Sequence, residues 1–371
     1  MIHIVKRPVV VCLLIASALL VVGCALLMPP TNRDFDAAQP HHRPDGFANR
    51  YAQRSEKPGL MRWMWERWRD DLPRPPAQPI VGVSPDLPLI HSDTSAVRVT
   101  WVGHSTLLLQ IDGLNLLTDP HFGPRASPVS FAGPKRHQPP GVALQELPRI
   151  HAVLLSHNHW DHLDRPTVQY LMQHHRGIRF YVPLGVQHWF QDNIAGTVLT
   201  GPSRNVVALD WDQSVQLRGR SAPVNLEFLA VQHWSARTPW DRYETLWGSW
   251  AVLHPQFRFW FSGDLAYSKD SLDIGQRLGH LDLAAIAIGA YEPRWFMAES
   301  HVNPQEAVQV MKDVRARAAL GIHWGTFDGI SDEPLDQAAI DLRTALRQES
   351  TPVDFQVLRH GQTWIFTPSA R

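Results

Sequence analysis

Hydrophobic and polar positions divide the chain into three stretches. The first is an uncharged apolar run from Val9 to Met28, preceded by Lys6 and Arg7 and closed by Pro29-Pro30. A basic start followed by such a run reads as a targeting segment. From Thr31 to about Thr94 the pattern turns to proline and polar residues, with one island of helical spacing, GLMRWMWERWRDDL, from Gly59 to Leu72. There Leu60, Met64, Trp65, Trp68 and Leu72 recur three and four residues apart, while Arg62, Glu66 and Arg69 fall elsewhere. The expectation is an arm whose tryptophans pack on the domain that follows; the alternative is a helix lying at a membrane surface.

From Val97 onward, short apolar runs alternate with helical segments. VRVTWVG and LLLQI read as strands, and Asp112-Gly113 joins the second to LNLLTD in a hairpin of the kind Asp-Gly pairs favour. Asp164 caps a predicted helix with Pro166 in its first turn and Gly177 past its end. Asn303, Pro304 and Glu306 signal the start of another, running to about Ala316. No internal repeat is present. Strands followed by strand and helix alternation, twice over, predict an α/β (α+β) fold of two sheets between helix layers. The expected divisions are a signal segment, 1–23, an arm, 24–95, and a catalytic domain, 96–371.

Composition narrows the function. The 371 residues carry 35 Lys plus Arg and 35 Asp plus Glu, a net charge of +0, which argues against a nucleic-acid partner. Twenty histidines against two cysteines point any metal site toward imidazole and carboxylate ligands. The stretch Val21-Val22-Gly23-Cys24 resembles the lipobox of bacterial lipoproteins, which implies acylation of Cys24 after loss of residues 1–23. Cys12 would then leave with the signal, so neither a disulfide nor a thiolate nucleophile is expected. Ala25 after the cysteine suggests an outer-membrane lipoprotein facing the periplasm; an uncleaved N-terminal anchor in the inner membrane is the competing reading.

Four sites share one grammar, an apolar strand that ends in a metal-ligand residue. AVLLS runs into HNHWDHLD, LEFLAVQ ends at His233, FRFWFSG at Asp264 and AALGI at His323. Ligands at strand ends can converge on one rigid sheet edge. In the extended stretch His157-x-His159-x-Asp161-His162, alternate residues point the same way, so His157 and His159 can share one metal while Asp161 and His162 face a second. A catalytic zinc takes three protein ligands plus water, so this cluster alone falls short of two sites. His233 and His323 supply the missing imidazoles, and Asp264 can bridge.

These residues resemble the ligand set of the metallo-β-lactamase superfamily. VTWVGHSTLLLQ, LTDPHFGPRASPVSFAGPKRHQPP, GAYEPRWFM and IHWGTF further resemble the N-acylphosphatidylethanolamine-hydrolysing phospholipase D family, over nearly the whole chain after Val97. The resemblance implies a four-layer αββα sandwich. It places one zinc at His157, His159 and His233, a second at Asp161, His162 and His323, and Asp264 between them. Iron or manganese could replace zinc. It marks His301 as a non-ligand catalytic histidine beside the reacting phosphate, and implies a homodimer. The expected reaction is attack of metal-activated water on the phosphodiester of an N-acylated phosphatidylethanolamine, releasing N-acylethanolamine and phosphatidic acid. The membrane, reached through the lipid anchor, would be both partner and substrate source. Two positions depart from the family pattern: Leu265 stands where threonine is usual, and Asn303 where aspartate is common.

No histidine has lysine two residues on, so a phosphohistidine route is not supported. The same ligands also serve hydrolysis of lactones, thioesters or other phosphodiesters, a di-iron redox protein, or a non-catalytic envelope binding protein. Trp160, Trp234 and Trp324 each adjoin a ligand histidine and either line a lipid groove or merely wall the site. His104 and His121 are expected to be hydrogen-bonded core histidines.

Overall fold

The long apolar runs form strands because both faces of each strand are covered. The computed structural model describes residues 32–52, 59–78, 80 and 82–366; the apolar N-terminal run, Cys12 and the expected lipidation site Cys24 lie outside them. Among the described residues no helix is long and apolar enough to cross a membrane.

The arm contributes a short hairpin, β1 (His42–Arg43) and β2 (Gly46–Phe47), then α1 (Leu60–Arg69) and α2 (Leu87–His91). The first sheet comprises β3 (Val97–Gly103), β4 (Thr106–Ile111), β5 (Leu114–Thr118), β7 (Ala152–Leu154), β8 (Arg179–Pro183) and β9 (Val206–Leu209), with the last strand, β18 (Thr363–Phe366), closing beside β3. The second comprises β10 (Ser214–Arg218), β11 (Pro223–Leu229), β12 (Ser249–His254), β13 (Phe257–Phe261), β14 (Leu281–Ala287), β15 (Ala316–Ile322) and β17 (Asp354–Gln356). A small ladder of β6 (Lys135–Arg136) and β16 (Phe327–Asp328) ties the two halves together. The helices are α3 (Arg165–His174), α4 (Val186–Asn193), α5 (Asp270–Leu278), α6 (Arg294–Met297), α7 (Pro304–Asp313) and α8 (Gln337–Gln348).

Strand residues alternate between two cores, as the two-residue period requires. On β4, Leu107, Leu109 and Ile111 enter the core between the sheets, and Leu108 faces the helix layer with Val168 and Leu171 of α3 and Phe190 of α4. Leu154 and Val153 of β7 divide the same way. The expected strands and the Asp112-Gly113 turn are present, both turn residues having positive φ, 48° and 79°. Asp164 caps α3 by accepting the Thr167 N–H. The helix expected to reach Ala316 stops at Asp313, because Arg315 turns left-handed at φ 58° and delivers Ala316 into β15 opposite Leu281. Asn303 forms a capping box with Glu306, so asparagine serves there as aspartate would.

Direction matters more for function than strand count. β5, β7 and β8 run parallel, as do β13, β14 and β15, and β11 matches β13 because each is antiparallel to β12. The loops that follow β5, β7, β11, β13 and β15 therefore leave from carboxyl ends, where open α/β sheets gather their ligands.

The tryptophan helix does not pack as expected. Trp63, outside the apolar stripe, stacks on Phe296 at 4.7 Å and donates to Asp332 at 3.0 Å. Leu60, Met61, Met64, Trp65 and Trp68 face outward, the last two 57% and 75% exposed. The rest of the arm is fastened by His41 and His42, whose Nε2 atoms meet Asp210 at 2.7 and 3.0 Å. His42 Nδ1 accepts the Asp36 N–H, so its Nε2 carries the proton and the trio is a hydrogen-bonded clamp rather than a ligand set.

Trp250 on β12 is fully buried and donates to the Leu155 carbonyl at 2.8 Å, linking the second sheet to the loop that carries His157. Trp250→Ala is expected to cost about 3–5 kcal/mol. Urea unfolding measures it.

Candidate metal centre

Each loop leaving a carboxyl end presents a polar side chain to one buried point. Asp119, one residue past β5, is fully buried and accepts from the Ser156 N–H at 2.7 Å, from Ser156 Oγ at 2.5 Å and from His162 Nδ1 at 2.7 Å. With its proton given to Asp119, Ser156 Oγ accepts from His157 Nδ1 at 2.8 Å. His233 Nδ1 donates to the Ser300 carbonyl at 2.9 Å. Holding one ring nitrogen of an imidazole this way fixes the tautomer and turns the lone pair of the other inward, as metal-binding histidines require.

At the centre, Asp264 Oδ2 lies 3.1 Å from Nε2 of His162 and of His323, 3.8 Å from Nε2 of His157 and of His233, and 3.9 Å from His301 Nδ1. His159 Nδ1 is 2.8 Å from His157 Nε2 and 3.4 Å from His233 Nε2. Asp161 Oδ2 sits 3.2 Å from His323 Nε2, 3.4 Å from His162 Nε2 and 2.8 Å from His104 Nε2. Two groups emerge with ligand atoms within 4.8 Å of one another, His157, His159, His233 and Asp264, and His104, Asp161, His162 and His323.

The donor set fits a metal. Asp264 Oδ1 is buried with no hydrogen-bond partner. Burial and neighbouring imidazoles drive His157 and His159 well below the usual imidazole range, which holds both in the neutral form that can bind a metal. Burial opposes ionisation of Asp161 and Asp264, yet the facing imidazoles hold both carboxyls well below their usual range. Burial likewise opposes a charged His323, but Asp264 and Asp161 push it up to about 9. Two buried carboxylates thus demand positive charge at this point, which metal ions meet better than protons.

The structure brings together all seven residues expected as ligands, His157, His159, Asp161, His162, His233, Asp264 and His323, and sets His301 beside them. His104 is buried and hydrogen-bonded as expected, but at the centre itself: it reaches Asp161, its ring lies 4.0 Å from that of His323, and burial pushes it down to about 3. His121 is a core histidine, hydrogen-bonded to Arg136. Asp119 and Ser156 were missed, although LNLLTD obeys the same grammar of a strand ending in a ligand-type residue.

The tryptophans differ in placement. Trp234 packs edge-on against His159 at 4.4 Å, Trp160 is covered by the Arg237 guanidinium at 3.6 Å, and Trp324 is buried against Trp101. A cavity of about 250 Å³ opens beside the centre, lined by His104, His323 and Trp324 on one side and by Arg67, Leu72 and Arg74 of the arm on the other.

Comparison with known proteins follows this geometry. The β-lactamase superfamily domain matches residues 114–324. An N-acylphosphatidylethanolamine-hydrolysing phospholipase D of Caenorhabditis elegans is 40% identical over 281 residues, 74% of this chain and 77% of that protein. Its mitochondrial counterpart in Saccharomyces cerevisiae is 33% identical over 62% of this chain and 47% of that protein. The solved metallo hydrolase Igni18 of Ignicoccus hospitalis superposes with a TM-score of 0.53 at 16% identity, covering 73% of this chain and 99% of the other. The chain belongs to the metallo-β-lactamase superfamily. Within it, the chain groups with the N-acylphosphatidylethanolamine-hydrolysing phospholipases D and is a metal-dependent hydrolase of mixed α/β sandwich fold.

For this hydrolase, removal of the Asp119 carboxylate should be felt at the metal without touching it. Asp119→Ala is expected to weaken metal binding about 10- to 100-fold, read as metal per chain against a graded chelator.

Proposed function

We propose that the chain is a dinuclear zinc phosphodiesterase that hydrolyses N-acylphosphatidylethanolamine-type phospholipids. The observation that carries the reading is Asp264 Oδ2 standing within 3.9 Å of five imidazole nitrogens, the position of a bridging carboxylate. His157, His159 and His233 would hold one ion, Asp161, His162 and His323 the other, and Asp264 both. Zinc, when bound, supplies Lewis acidity toward the phosphoryl oxygens and lowers the pKa of water. The 40% identical phospholipase D supports the choice of phosphodiester over lactone or thioester.

The chain's own groups divide the remaining work. His301, at 3.9 Å from Asp264, is placed to give a proton to the departing ethanolamine oxygen or to hold the phosphate. His104 orients Asp161 through their 2.8 Å contact. The cavity beside His323 receives the lipid, Arg67 and Arg74 near its anionic groups and Leu72 and Trp324 along its apolar part. The outward face of α1 carries the exposed apolar residues Met61, Met64, Trp65 and Trp68, bordered by the Arg62–Glu66 and Arg69–Asp70 ion pairs, a composition suited to a bilayer surface. The helix continues into the residues that wall the cavity, giving a lipid a short path to the centre. A lipidated Cys24, in the cell envelope, would tether this face to its substrate.

The metal-loaded protein should release N-acylethanolamine and phosphatidic acid from defined N-acylphosphatidylethanolamine. Turnover of a lactone or thioester with no such release would replace the substrate assignment and keep the fold. His301→Gln should retain both metals while kcat falls about 10²- to 10⁴-fold, the range of a lost general acid. Trp65→Ser with Trp68→Ser should lower binding to phosphatidylglycerol vesicles about tenfold or more while turnover of soluble bis(p-nitrophenyl) phosphate stays unchanged.

A further inference from the structure

One side chain of the arm, Asn49, closes on the main chain of a residue at the metal centre. Asn49 lies upstream of the matched domain, residues 114–324, yet its amide closes on a single residue of the centre. Asn49 Nδ2 donates to the His233 carbonyl at 3.0 Å, and Asn49 Oδ1 accepts the His233 N–H at 3.0 Å. The same Oδ1 accepts from Trp247 Nε1 at 3.1 Å, and that indole, fully buried, also donates to the Val231 carbonyl at 3.0 Å.

The need for such a bracket follows from the topology. β11 ends at Leu229, four residues before His233, and the next strand, β12, begins at Ser249. His233 therefore lies outside the sheet ladder, unlike His323, which directly follows β15. Asn49 offers a donor and an acceptor to one peptide pair, as a neighbouring strand would. The arm is itself pinned just upstream: Phe47 is fully buried with its N–H on the Tyr243 carbonyl, and His41 and His42 hold Asp210.

We propose that Asn49 is a positioning residue of the metal centre, fixing the main chain of His233 so that its Nε2 stays directed at His159 and Asp264. The inference rests on the reading of these residues as metal ligands. It makes the arm a working part of the catalytic unit, and it assigns the effect to one half of the centre, the group of His157, His159 and His233.

The test uses the full-length, metal-loaded protein and three variants. Asn49→Ala removes the bracket. Asn49→Asp keeps the acceptor for the His233 and Trp247 N–H groups, opposes the His233 carbonyl with a carboxylate, and preserves the side-chain volume should the alanine variant fail to fold. His41→Ala removes one of the two contacts to Asp210, leaving His42 and buried Phe47 to hold the arm, and does not touch His233. Metal per chain is followed against increasing chelator, and the d–d spectrum of the cobalt-substituted protein reports ligand geometry. Both Asn49 variants should lose one of two ions at about 10- to 100-fold lower chelator, retain the second at the wild-type midpoint, and show an altered cobalt spectrum. His41→Ala should match wild type in all three. Wild-type retention and spectrum in a folded Asn49 variant, or equal loss in His41→Ala, would overturn the assignment. Wild-type protein that binds no metal at all would instead remove the metal reading on which it rests.

Discussion

A carboxylate in a protein interior must be matched by positive charge, and Asp264 is 3% exposed with five imidazoles around one of its oxygens. The surrounding architecture serves that requirement. Imidazoles alone satisfy it poorly, because burial drives several of them toward neutrality while the carboxylates pull others toward the charged form. Divalent ions would resolve the conflict, since they need neutral imidazoles and ionised carboxylates at once.

Delivering seven histidine and aspartate side chains to a space of a few ångströms needs rigid supports. Two sheets, each with both faces buried, provide them, and the parallel directions of β5, β7, β11, β13 and β15 bring their carboxyl ends to a common edge. Asp119, Ser156, the Ser300 carbonyl and Trp250 then hold the ligand loops from behind. The arm belongs to this support as much as the sheets do. Its hairpin side is clamped at Asp210, and its helical side walls the cavity that opens at His104 and His323.

Much of this was legible in the residues, for definable reasons. Strands buried on both faces read as continuous apolar runs, and a ligand residue after each run places it at a sheet edge. The Asp-Gly turn and the Asp164 and Asn303 caps are local signals that need no tertiary information. The failures were tertiary. In GLMRWMWERWRDDL the apolar stripe singles out Trp65 and Trp68, which lie exposed against one another, while Trp63, off the stripe, is the one that finds Phe296 and Asp332. That His104 is buried was legible, but not its partner, because the pairing that sets it against Asp161 spans 57 residues. Asn49 stood in a proline-rich arm, 184 residues from its partner His233.

The central claim is that this buried set of histidines and aspartates holds two metal ions bridged by Asp264. Anomalous diffraction from crystals of the zinc-loaded protein, collected on both sides of the zinc edge, addresses it most directly. Two peaks are predicted, about 3.5–4 Å apart, one among His157, His159 and His233 and one among Asp161, His162 and His323, with Asp264 between them. A single peak, or zinc bound elsewhere with these side chains hydrogen-bonded only to one another, would contradict it.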